Sequence, residues 1–351
     1  MDGRCGAWRL SSIDLRKNDH MNGPAGTADA AVAVPALSLA GPASSMLDFA
    51  RALVQTTKPG ITRLVTITAI VGYVMAAAVG QRADTWPAMA ISFAACIIGT
   101  ALSAAGANAL NQWWERARDA RMQRTQRRPL PLERVTPRTV LVWGALLAVA
   151  GVSVLWWLCG MPAALVSLTC VLVYVLIYTP LKPVTTLATY VGAIPGALPP
   201  LIGWAASTGT TMDSLTQWGG LSLVGLMTVW QIPHFMAIAW MYRDDYAKGG
   251  FCVLPTLDPL GIKTSRVIVI WTLLLLPATL APAWAMPSRL GLFYVVVAAS
   301  TGLIFASLAW KLIRTRERSD ARRVFFGSII HLPLLLLAMV GEALVRVALA
   351  S

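Results

Sequence analysis

Long apolar runs recur along this chain, separated by short segments that hold most of its charge. Nine of them lie near 61–80, 87–112, 139–159, 161–179, 188–206, 217–240, 267–285, 290–310 and 325–345. A run of about 20 apolar residues crosses the roughly 30 Å hydrocarbon core of a bilayer as one helix. The pattern predicts an all-α fold, a polytopic membrane helical bundle of about nine transmembrane helices. Pro and Gly break several runs, most of all Ile194-Pro195-Gly196 and Pro199-Pro200 in the fifth. A broken span survives where neighbours or a cavity satisfy its freed backbone groups, so the fifth is expected to face the interior.

Composition agrees with a lipid solvent. Of 351 residues, 56% are hydrophobic and 13% charged, against roughly 25% charged in a soluble domain, and mean hydropathy is +0.63. A net charge of +13 would suit nucleic acid, but the basic residues gather at the ends of apolar runs, where headgroups and phosphate-bearing ligands lie. Loops after the even-numbered spans carry 19 Lys/Arg and those after the odd-numbered spans only Arg82 and Arg289. The positive-inside rule then places the even loops and the N-terminus in the cytoplasm and the C-terminus outside. Five scattered cysteines show neither metal spacing nor a disulfide framework.

Residues 1–45 have no apolar span and are expected to form a mobile extension ahead of a transmembrane domain over 46–351. No charged n-region leads into an apolar h-region, so this is not a signal peptide. Asp2, Asp14 and Asp19 count against a transit peptide despite Arg4, Arg9 and Arg16. A bacterial inner membrane is the expected location.

The densest chemistry follows the second span. Asn111, Glu115 and Asp119 are spaced i, i+4, i+8 and share a face of a continued helix. Carboxylates at i, i+4 repel, so a cation is expected between them. Arginines could supply it, with Glu115–Arg118 a permitted pair. Alternatively Mg²⁺ sits there, reached through one or two carboxylates and substrate phosphates, with Arg121, Arg124, Arg127 and Arg128 on phosphate oxygens. A second acidic cluster, Asp244-Asp245 beside Arg243, falls on the same membrane face. Two such clusters together suggest a diphosphate held through metal ions.

The segments 108–131, 178–206 and 230–255, which hold these residues, resemble the UbiA superfamily of intramembrane prenyltransferases. More closely, they are similar to the protoheme IX farnesyltransferase (heme O synthase) family. The likeness runs from Lys58-Pro59 to the ninth span. It implies a prenyltransferase that moves a farnesyl group from farnesyl diphosphate to a vinyl group of heme B. Asn111, Glu115 and Asp119 fall on the first metal and diphosphate motif, and Asp244 and Asp245 on the second, as Mg²⁺ ligands. Lys182 matches a loop lysine near the diphosphate, joined by Arg121, Arg124, Arg128 and Arg243. Ala117 stands where the family often has a further acid, and Pro183 where it often has a base. Contact with heme A synthase or terminal oxidase assembly is implied as transient.

His234 and His331 lie in apolar spans, where ionisable groups are functional candidates. Both are candidates for heme contact, although a hydrogen bond to another helix explains a lone His equally well. Glu342 and Arg346 read as an i, i+4 ion pair. Most tryptophans near span ends read as an interfacial belt, and Trp113 and Trp114 are also candidates to line an isoprenoid cavity. One rival is a prenyltransferase acting on a quinone precursor or other aromatic acceptor. Another is a transporter, but the acids gather at the cytoplasmic ends and no internal repeat is evident.

Overall fold

A computed structural model describes residues 45–80 and 85–350. Residues 1–44 of the expected N-terminal extension, including His20, and Arg82 lie outside them. The described residues form helices and no strands. In chain order the longer ones are α1 (Met46–Thr56), α2 (Pro59–Val79), α3 (Trp86–Asp119), α4 (Pro137–Cys159), α5 (Met161–Leu181), α6 (Ala188–Ala197) and α7 (Pro199–Thr208). They continue with α8 (Trp218–Met241), α9 (Arg243–Lys248), α10 (Ile262–Ala285), α11 (Leu292–Thr315) and α12 (Arg318–Ala350). Eight stretches are long and apolar enough to cross a membrane as continuous helices. The one predicted span not among them, the fifth, is the pair α6–α7, divided at Leu198 because Pro199 and Pro200 cannot donate the backbone bonds that would continue it.

A side chain from another helix braces this segment. The Gln231 side-chain amide of α8 donates to the Ala193 carbonyl at 2.9 Å and to the Met227 carbonyl at 3.0 Å. Gly196 leaves room for it, since a Cβ there would stand 2.2 Å from Gln231 Oε1. The fifth span faces the interior as its prolines predict, with most of α7 buried.

Small residues set the tightest crossings, as they do where lipid gives helices no hydrophobic reason to associate. Gly99, Ser103 and Gly106 of α3 meet Gly144, Ala148 and Gly151 of α4; a Cβ on Gly106 would lie 2.4 Å from the Ala148 nitrogen. A Cβ on Gly203 of α7 would stand 1.8 Å from the Ala69 carbonyl oxygen of α2. The outside of the bundle is apolar, with Leu146, Val149, Leu303, Ile304 and Leu337 exposed. Trp86, Trp157, Trp218 and Trp284 are exposed at the end of the bundle opposite the basic loops. Trp114 and Trp310 mark the basic end, giving a tryptophan belt at each rim. Trp113 is half-buried and packs against Arg116.

Glu342 and Arg346 pair at 3.0 Å, and Glu342 also accepts the Tyr294 backbone N–H. Cys96 and Cys170 are free thiols, and the Cys159 thiol donates to the Ser92 carbonyl at 3.4 Å.

Candidate active site

The second apolar run ends near 112 by hydropathy, yet α3 continues to Asp119. Its last two turns leave the membrane core as a helix and hold Glu115 and Asp119 at fixed spacing beside Asn111. All three are buried. A buried carboxylate is costly unless it is paired and hydrogen-bonded, and each finds a base from a different part of the chain. Lys58 Nζ donates to Asn111 Oδ1 at 2.6 Å. Lys182 Nζ lies 2.7 Å from Glu115 Oε1, and Arg128 Nη1 lies 2.6 Å from Asp119 Oδ2. Two carboxylates therefore face three basic side chains, with Lys58 bonded to a neutral amide and not to an acid.

Local structure aims each base. Lys58 caps α2 in a left-handed conformation, φ 49°, which a non-glycine residue rarely adopts and which clusters at functional sites. Burial, reinforced by Arg128 and Lys182, lowers its pKa to about 7 against the pull of Glu115 and Asp119. Burial also opposes charge on Lys182, but Glu115 outweighs it and the pKa rises above the ordinary lysine value. Lys182 follows π-helical turns over Val173–Tyr178, a distortion frequent at functional sites. There Thr179 Oγ1 donates to the Tyr174 carbonyl and accepts from Asn111 Nδ2, at 2.7 and 2.9 Å. The Lys182 ammonium lies 5.0 Å from the ring centres of both Tyr178 and Phe251.

The second cluster is joined to the first through backbone. Asp245 accepts from the N–H groups of Gln123 and Arg124 at 2.7 and 3.2 Å, so it holds the arginine-rich loop against α9. Arg124 then lies over the rings of Tyr242 and Tyr246, 5.4 and 5.7 Å from their centres. Asp244 points outward, 72% exposed and 3.6 Å from Arg243, whose Nη1 donates to the Pro259 carbonyl. Arg121 and Arg127 are exposed. Arg118 does not pair with Glu115; its guanidinium donates to the Gly249 and Gly250 carbonyls. Lys58 is the functional candidate that sequence reasoning missed, although Lys58-Pro59 at a span start is its visible trace.

His234 of α8 stacks between Trp230 and Phe325, with ring centres 4.9 and 5.2 Å away, and its Nδ1 lies 2.7 Å from Ser328 Oγ. His331 packs on Phe305 with Nδ1 3.0 Å from Thr301 Oγ1. It is buried in the α11–α12 contact, and its Nε2 has no partner.

One atom in the acidic cluster is unsatisfied: Asp119 Oδ1 is buried with no hydrogen-bond partner. Such an oxygen is a vacant ligand for a cation. Among the described residues no three Asp, Glu, His or Cys side chains converge as a metal cage. The donor set of Asn111, Glu115 and Asp119 fits Mg²⁺ that arrives with a diphosphate, since that ion keeps few protein ligands and fills its shell with phosphate oxygens and water.

The model of the UbiA prenyltransferase family matches residues 65–348. A protoheme IX farnesyltransferase from Solibacter usitatus is 38% identical over 291 residues, covering 81% of this chain and 96% of the relative. Among solved structures, a digeranylgeranylglyceryl phosphate synthase superposes with a TM-score of 0.67 at 15% identity, over 84% of this chain and 99% of the other. A UbiA homologue from Archaeoglobus fulgidus bound to GPP and Mg²⁺ superposes with a TM-score of 0.55 at 9% identity, over 85% and 99%. A polytopic helical bundle with paired acids and bases at one end, matched over most of its length by such relatives, belongs to the UbiA prenyltransferase family.

Proposed function

We propose that this chain converts heme B to heme O by Mg²⁺-dependent transfer of a farnesyl group from farnesyl diphosphate to a heme vinyl group. The observation that carries the reading is the buried knot of Glu115, Asp119, Lys58, Lys182 and Arg128 at one end of an apolar bundle. A diphosphate needs cationic groups, and a farnesyl chain needs an apolar channel beside them. The name of the Solibacter relative supports the choice of donor and acceptor. The Archaeoglobus homologue, bound to GPP and Mg²⁺, supports Mg²⁺ with a prenyl diphosphate.

Ionisation of the allylic C–O bond produces a delocalised cation and pyrophosphate. Bound through Asn111, Glu115 and Asp119, with Asp244 free to approach, Mg²⁺ would neutralise charge on the leaving group. Lys58, Lys182, Arg124 and Arg128 hold phosphate oxygens, with Arg121 and Arg243 at the rim, and stabilise the charge that develops there. The surrounding apolar helices keep water from the cation until the vinyl carbon attacks. Water then adds to the porphyrin-side cation and loses a proton, giving the hydroxyethylfarnesyl group. No enzyme nucleophile is required.

The basic end faces the cytoplasm of a bacterial inner membrane in this reading, with the C-terminus periplasmic. Transient contact with heme A synthase or the oxidase assembly rests on the resemblance alone. A second acceptor class, an aromatic quinone precursor, is separated by experiment. Purified protein is incubated with Mg²⁺, farnesyl diphosphate and either heme B or 4-hydroxybenzoate, and products are weighed. Heme O from heme B alone is the expected result; farnesylated benzoate alone would replace heme as the acceptor.

A further inference from the structure

A cavity of about 580 Å³ opens where the end of α8 meets the start of α12, lined by Met241, Tyr242, Arg318, Arg322, Phe325 and Phe326. That size falls within the roughly 300–1,000 Å³ of small-molecule sites. Arg318 and Arg322 stand i, i+4 on the first turns of α12 and so share one face. Neither has a carboxylate partner among the described residues: Arg318 donates to the Met241 carbonyl, and Arg322 lies 5.5 Å from the centre of the Phe326 ring. The acid between them, Asp320, is buried and engaged by Arg323 at 2.6 Å and Lys311 at 3.7 Å. Glu317 accepts from Ser319 at 2.9 Å. Two guanidiniums with aromatic walls beside them make a site for a flat ligand bearing two carboxylates.

The cavity also adjoins both groups of interest. Tyr242, which lines it, carries Arg124 of the diphosphate grip 5.4 Å above its ring. Phe325, on the membrane side, stacks on His234. We propose that this cavity seats the porphyrin acceptor by its two propionates. Arg318 and Arg322 take the carboxylates as planar guanidinium–carboxylate pairs, and Tyr242, Phe325 and Phe326 flank the macrocycle. Propionates lie on one edge of protoporphyrin IX and vinyls toward the other, so anchoring the acid edge turns the vinyl edge to the interior. A benzoic acid would use one arginine and leave the second idle. The inference rests on heme as acceptor, and it names the residues that select it.

The test uses full-length protein in nanodiscs of phosphatidylcholine, with and without added phosphatidylglycerol, titrated with Fe-protoporphyrin IX or its dimethyl ester and followed by Soret absorbance. Wild type should prefer the diacid, and Arg318→Gln/Arg322→Gln should lose that preference, since each charge-assisted bond is worth about tenfold. Unchanged affinity for the ester reports an intact fold, and Arg318→Lys/Arg322→Lys should recover part of the preference. In turnover the Gln pair should raise KM for porphyrin far more than it lowers kcat. Equal affinity of wild type for diacid and ester, or a preference that survives in the Gln pair, would overturn the proposal. So would an effect of the substitutions seen only with anionic lipid present, which would make these arginines headgroup anchors. Arginine-dependent diacid binding without any heme O formation would leave this site standing and remove the proposed reaction instead.

Discussion

Lys182 is the most informative residue to remove, because its structural and chemical roles separate. Its ammonium lies 2.7 Å from Glu115 Oε1, with the two side chains only 17% and 5% exposed. In Lys182→Met the carboxylate stays buried with one strong partner gone, and breaking a buried pair this way costs about 3–5 kcal/mol. Lys58, hydrogen-bonded to Asn111 one turn away, offsets only part of that loss. Adding Glu115→Gln removes the orphaned charge, so the double variant should regain most of the stability. It should not regain the phosphate grip, because the cation that meets the diphosphate is still missing. Unfolding in detergent micelles measures the first effect, and farnesyl diphosphate affinity the second. A single variant within about 1 kcal/mol of wild type, the range of exposed pairs, would refute the buried-pair reading. Recovery of diphosphate affinity in the double variant would refute the chemical one.

Two neighbouring acids should fail differently. Asp245→Ala frees the backbone of Gln123 and Arg124, so amide exchange over 121–128 should accelerate, whereas Asp244→Ala should leave exchange alone and raise the Mg²⁺ needed for half-maximal turnover. Equal exchange in both variants would remove the loop-holding role of Asp245. Gly203→Ala forces a Cβ onto the Ala69 carbonyl and should destabilise the α2–α7 crossing by at least the 1–3 kcal/mol or so typical of overpacking. Gly60→Ala, with nothing within 4 Å of the added carbon, should be neutral or slightly stabilising in the same unfolding assay.

Much of the bundle is legible in the sequence because lipid imposes one simple rule, a long apolar run for each crossing. The fifth span is marked by its prolines, and its division into α6 and α7 follows from them. Hydropathy fails at the ends: α3 runs on to Asp119 and α12 begins at Arg318, since a helix does not stop where its residues become polar. The eleven residues of α1 are too few to span, so hydropathy does not mark them, yet Gln112 donates to the Gln55 and Thr56 carbonyls. Spacing shows that Glu115 and Asp119 share a face and need a cation. It cannot show which, because Lys182 and Arg128 reach them only through the fold. The local pairing with Arg118 loses to two glycine carbonyls from a distant loop. The role of Lys58 is hidden for the same reason: a lysine before a span reads as an interfacial charge until its contact with Asn111 is seen.

The most direct measurement is heme O formation by wild type and Asp119→Ala, each with heme B, farnesyl diphosphate and Mg²⁺, followed by product mass. Asp119 carries both the ion pair to Arg128 and the unpartnered oxygen. Wild type should form heme O, and the variant should be slower by at least about 10²-fold, the scale of losing one electrostatic stabiliser. Undiminished product from the variant, or none from well-folded wild type, would contradict a diphosphate gripped at this end of the bundle.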